Sequence, residues 1–141
     1  MTETLDQEGI ANWRSNWLQL IAHISNIDLQ RERWLDPAQY PSPYWSFAEF
    51  FCMYFDDLGL DAGYEACVAS GNVSSAEATI MQALHAALSA YESPTGKDFD
   101  HAAILADPNW AAVVSLAAQA RLQLHDLPLS ESDQCAIRGA G

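Results

Sequence analysis

Apolar residues recur at Ile10, Trp13, Trp17, Leu20, Ile21, Ile24 and Ile27, in steps of three and four that lay one stripe along a helix. A long first helix is expected here. Asn26 and Asp28 supply capping oxygens that predict a kink or restart before Leu29, Trp34 and Leu35, and Asp36-Pro37 predicts the end. Ser46-Phe47-Ala48-Glu49 has the capping-box spacing, in which the serine oxygen accepts the third helical amide and the glutamate reaches back to the cap amide. The helix it opens carries Phe50, Phe51, Tyr54, Phe55 and Leu58 and stops at Gly59, a residue suited to the left-handed turn that closes helices. Asp61 is expected to cap a short helix through Tyr64 and Val68, ended by Gly71.

The capping spacing returns at Ser74-Ser75-Ala76-Glu77, followed by an inward stripe of Ile80, Leu84, Ala87, Leu88 and Tyr91. A brief helix is predicted over His101 to Ala106. Asp107-Pro108 then places a cap before proline at the first helical position, and Trp110, Val113, Val114, Ala117, Ala118, Arg121 and Leu122 continue that helix. Strand alternation bounded by hairpin turns is missing. The expected fold is therefore all-α: one compact bundle of about five to six helices, with an aromatic, proline-rich loop over 37–45. Periodicity weakens after Asp126, so residues 1–126 read as a single α-helical domain and 127–141 as a flexible tail.

Charge changes the picture most. Nineteen acids against six bases give a formal net charge of −13, and between Arg33 and Lys97 lie eight carboxylates and no Lys or Arg. Such a surface repels nucleic acid and anionic lipid and steers cationic partners toward it. The three cysteines, Cys52, Cys67 and Cys135, form no CxxC pair, and Cys52 and Cys67 fall within apolar helical patterns. Buried free thiols in a reducing compartment are expected, and with neither a signal segment nor a long apolar span in view the expected location is the cytoplasm.

Candidate chemistry is sparse. Phosphate-binding glycine loops, GxSxG and HExxH are missing, and His23, His85, His101 and His125 are scattered. Asp98, Asp100 and His101 cluster two carboxylates and an imidazole, but a loop with a helix cap explains that grouping without an ion; no catalytic residue, metal or cofactor is assigned. On the helix from Phe47 to Leu58, an advance of about 100° per residue puts Phe47, Phe50, Phe51, Tyr54, Phe55 and Leu58 on one sector and Glu49, Met53 and Asp56 opposite. Glu49 and Asp56 then stand roughly 10 Å apart along the axis, too far to chelate one ion or share a proton. Asp57, Asp61 and Glu65 extend the acidic series. It reads either as a solvated helix face or as a patch that docks a basic protein surface.

The run Pro43-Tyr44-Trp45-Ser46-Phe47-Ala48-Glu49-Phe50-Phe51-Cys52-Met53-Tyr54-Phe55-Asp56-Asp57-Leu58 resembles the aromatic segment of small immunity proteins from bacterial contact-dependent inhibition and related polymorphic toxin systems. The resemblance extends only loosely to Trp110 and the Val113-Val114 pair, and Asp56-Asp57 stands where many relatives carry His and Asp. It implies a mainly helical cytoplasmic protein that binds and blocks one cognate toxin domain, frequently a nuclease, without turnover. The expected contact residues are Glu49, Asp56, Asp57, Asp61 and Glu65, with Trp45 or Tyr44 as an aromatic anchor. Two other classes remain open: a helical adaptor or homodimer using the tryptophan-rich first helix or the small-residue last one, and a metal-dependent hydrolase with a scattered carboxylate site.

Overall fold

A computed structural model describes residues 2–36, 46–97 and 100–138, with side chains from residue 8 onward. Eight α-helices occur among them: α1 (Thr2–Ile24), α2 (Ile27–Trp34), α3 (Phe47–Phe51), α4 (Tyr64–Ser70), α5 (Ser75–Ala90), α6 (His101–Ala106), α7 (Pro108–His125) and α8 (Glu131–Arg138). A π-helical turn (Cys52–Asp57) continues α3, a 3₁₀ turn (Leu60–Ala62) precedes α4, and the described residues contain no strand. The all-α expectation holds, with two helices more than the upper expected number. One arises at Asn26, whose side chain accepts the Leu29 amide and restarts the chain as α2. The other is α8.

Local capping explains most boundaries. Ser74 and Glu77 complete both halves of a capping box on α5, Ser46 accepts the Glu49 amide, Asp100 accepts the Ala103 amide, and Asp107 caps α7 with Pro108 in its first turn. Gly59 and Gly71 adopt φ of 70° and 84°, the left-handed conformation that a side chain disfavours. Asp61 does not cap α4. It lies exposed within the 3₁₀ turn, and Gly63 occupies the cap position.

Apolar residues from all eight helices meet in one core. Trp17, Trp34 and Trp110 are at most 2% exposed, and Leu18, Ile21, Leu60, Met81, Leu84 and Ile104 fill the space around them. Trp34 meets Phe47, Phe50 and Trp110 with ring centroids 5.3–6.4 Å apart, within the range at which aromatic pairs attract. Gln30, 1% exposed, ties the α1–α2 junction to α7: its Nε2 donates to the carbonyls of His23 and Ile24, and its Oε1 accepts from Trp110 Nε1.

Within the expected flexible tail over 127–141, residues Glu131–Arg138 instead form α8, which packs along α1 and touches α7; residues 139–141 lie outside the described residues. Ser130 caps it by accepting the Asp133 amide. Ala136 and Ile137 are buried, Asp133 pairs with Arg14 of α1, and Arg121 of α7 donates to the carbonyls of Ile137 and Arg138 at the helix end. A chain ending at residue 129 is therefore expected to lose about 2–4 kcal/mol, from exposure of the Ile137 site and loss of these polar ties. Urea unfolding of the shortened chain checks this, and an unchanged midpoint would show that α8 adds nothing.

Candidate functional site

The acidic face begins at α3. Its first turn is held by Ser46, and Glu49, half-buried, is the third helical residue. From Cys52 the helix widens: the Leu58 amide donates to the Met53 carbonyl at 2.9 Å, five residues back. A π turn takes more residues per revolution than an α turn, so side chains after Phe51 fall behind the 100° advance. Phe47, Phe50, Tyr54 and Leu58 are buried as expected, whereas Phe51 and Phe55 are only half-buried. Met53, expected opposite the core beside Glu49 and Asp56, instead packs against the core's edge.

Asp56 and Asp57 close the π turn and are exposed. Cys52 is exposed too, and Cys135 likewise, while Cys67 alone of the three free cysteines is buried as expected. Loss of water around its sulfur and then the charges of Asp56, Glu49 and Asp57 push the Cys52 thiol up, so these three carboxylates share one neighbourhood. Asp61 and Glu65 lie exposed on the two following elements, the 3₁₀ turn and the first turn of α4. Glu77, counted among the eight acids of the base-free stretch, is 3% exposed and leaves the surface altogether. The remaining expected contact residues, Tyr44 and Trp45, lie outside the described residues, as does Asp98. Asp100 caps α6, and His101 Nε2 accepts the Phe47 amide at 3.4 Å. No group of three His, Cys, Asp or Glu able to hold a metal occurs among the described residues.

Two networks, neither legible in the spacing of apolar residues, hold this face in place. Trp17 Nε1 donates to Tyr64 Oη at 2.9 Å, Tyr64 and Tyr54 hydroxyls are 3.1 Å apart, and Tyr54 Oη is 2.9 Å from His85 Nδ1. An indole can only donate. The arrangement that gives every hydroxyl proton an acceptor therefore runs Trp17 to Tyr64 to Tyr54 to His85, with the imidazole proton on Nε2. This chain links α1, α4, the π turn and α5. Burial drives both phenols well above their ordinary range and pushes His85 down, so all three stay neutral at pH 7.

The second network centres on Arg14. Its Nη1 and Nη2 donate to Glu77 Oε1 and Oε2 at 2.9 and 2.7 Å, Nη1 also reaches the Asn72 carbonyl at 2.9 Å, and Nε meets Asp133 at 3.1 Å. The guanidinium lies 5.6 Å from the Trp17 ring centre. Burial alone would raise the Glu77 carboxyl, but hydrogen bonds from Arg14 and the Ser74 amide, with the Arg14 charge, hold it below the usual carboxylate range. The Arg14 pKa rises, first through its hydrogen bond to Glu77. The signal for this pair was the capping-box glutamate itself, whose inward face only the tertiary fold reveals.

Beside the acidic face, α1 and the α3–π segment diverge into a groove of about 610 Å³. Trp13 Nε1 donates to the Leu58 carbonyl at 2.8 Å at one end, and His23 meets Phe50 edge-on, centroids 6.3 Å apart, at the other. Asp57 stands on the rim and Met53 and Leu20 form part of the floor. Desolvation and then the nearby Arg33 charge push His23 down, which leaves it neutral at pH 7. No helix among the described residues is long and apolar enough to cross a membrane. No family model, curated protein or solved structure matches this chain.

Proposed function

We propose that this chain is an immunity protein, a stoichiometric inhibitor that binds a cognate bacterial toxin domain, a nuclease, and occludes its basic surface. The observation that carries the reading is the state of four carboxylates. Asp56, Asp57, Asp61 and Glu65 are exposed on consecutive elements, and none is paired with a cation among the described residues. Arg14 is committed to Glu77 and Asp133, and Arg31 to Asp28. The acidic face therefore keeps its field for an external partner, and the Trp17–His85 chain anchors the elements that carry it, which lowers the ordering cost of docking. A nuclease must present Lys and Arg to phosphate, so the same carboxylates that repel nucleic acid complement it.

The experiment is co-expression with the C-terminal domain of a secreted toxin encoded beside this gene. The chain is expected to protect cells, and the quadruple change Asp56→Lys, Asp57→Lys, Asp61→Lys, Glu65→Lys to abolish protection. The association rate of the purified pair is expected to fall by about tenfold or more between low and physiological salt. A chain that does not protect, or a rate indifferent to salt, would overturn the reading.

A further inference from the structure

Which group of a basic partner does this face take hold of? The groove between α1 and the α3–π segment sets an unpaired carboxylate, Asp57, beside a cleft of side-chain dimensions walled by a tryptophan. Its floor includes Trp13, Leu20 and Met53, and Asp57 sits at the rim. Trp13 is not free to swing away: its indole N–H is held by the Leu58 carbonyl, and its ring stacks on Trp17 with centroids 5.5 Å apart.

Several groups on the walls can accept. The indole donor is used by Leu58, the Gln19 amide nitrogen donates to Ser15 Oγ at 3.0 Å while its Oε1 can accept, and the exposed Asn16 amide can accept or donate. The field along the groove is polarised as well, with Asp57 at the Trp13 end and Arg33 near His23 at the other. A fitting occupant has an apolar stem for the floor and a positive, hydrogen-bond-donating head for Asp57. Lysine shares the stem and the charge, but only arginine adds a planar fork that takes a carboxylate bidentately and lies against an indole, so arginine fits Asp57 and Trp13 together.

We infer that this groove is a receptor for an arginine side chain of the partner, which enters at the Asp57 end with its guanidinium on the Asp57 carboxylate and its stem against Trp13 and Met53. The inference deepens the proposed function and rests on it for the partner's identity. The arginine of a nuclease's phosphate-binding surface is the group such a receptor would sequester. Asp57 and Asn16 set the specificity, and Asp61 and Glu65 steer without touching the inserted side chain.

A test needs no toxin. The full chain is titrated with N-acetyl-arginine methylamide and followed by ¹H–¹⁵N NMR. Saturable shifts are expected at the Trp13 indole and the Asp57 and Leu58 amides, weakened at least fivefold in Asp57→Asn and in Asn16→Trp, which fills the cleft from an exposed helix position. Glu65→Gln should leave them unchanged. Shifts that do not saturate, an equal response to N-acetyl-norleucine methylamide or N-acetyl-lysine methylamide, or an unaltered titration of Asp57→Asn would overturn the assignment. Because the readout is independent of protection, loss of the arginine site would leave the co-expression result standing, and failure to protect would leave the site measurable.

Discussion

Replacing Glu77 with Ala is expected to destabilise the fold by about 3–5 kcal/mol, because it strands the Arg14 guanidinium in a largely desolvated position without its bidentate partner. The side chains of Arg14 and Glu77 are only 16% and 5% exposed, and the carboxylate also accepts the Ser74 amide at 2.8 Å, so the same change uncaps α5. The midpoint of thermal unfolding should fall by roughly 10 °C or more. Glu77→Gln, which keeps one acceptor for the cap, should lose less, and the triple change Arg14→Met, Glu77→Leu, Asp133→Asn should recover part of the loss, since it removes all three charges of the network together. Chemical denaturation of the four proteins checks this. A loss below about 1 kcal/mol in Glu77→Ala would mean that Arg14 finds water, and that Asp133 alone is partner enough.

Acidification is expected to weaken the protein in two stages. Burial first, with the Arg33 charge added at His23, holds His23, His85 and His101 below the ordinary imidazole value. The folded chain therefore binds fewer protons than the unfolded one as pH falls past about 6.5. The stability these groups contribute is complete above that value and is lost progressively below it, with a slope of up to about 1.4 kcal/mol per pH unit for each histidine titrating only in the unfolded state. Glu77 acts in a lower window. Its folded pKa is depressed, so its contribution is present above the ordinary carboxylate value and disappears as pH falls through the folded one.

His85 adds a structural reason to its share. Protonation would make Nδ1 a donor toward Tyr54, reverse the Tyr54 hydroxyl, and leave the Tyr64 proton without an acceptor in the core. Urea midpoints at pH 7.5, 6.0 and 5.0 should decline steadily, and His85→Asn, which offers Tyr54 an amide oxygen near the Nδ1 position but cannot titrate, should flatten the decline. A midpoint constant from pH 7.5 to 5.0 would refute the argument.

The chain alone determined its helical class, most element boundaries and the inward stripes, because these depend on interactions within a turn or two. Ser46, Ser74, Asp100 and Asp107 cap where their spacing says they should, and Gly59 and Gly71 terminate where a left-handed residue is needed. The acidity of the Asp56–Glu65 stretch was equally plain. What only the tertiary structure decided involves partners far apart in sequence. The helix α8 carries just two buried apolar residues, Ala136 and Ile137, too few to mark a period, and it is held by Arg14 and Arg121 from other helices. The π turn moves Met53 from the acidic side to the groove, a rotation that a uniform 100° advance does not contain. Glu77 turns from a surface acid into a buried ion pair because Arg14, 63 residues away, is brought to it. Local physics set where the carboxylates lie along the chain; the packing of α1 against the π turn set which of them lines the groove beside Trp13.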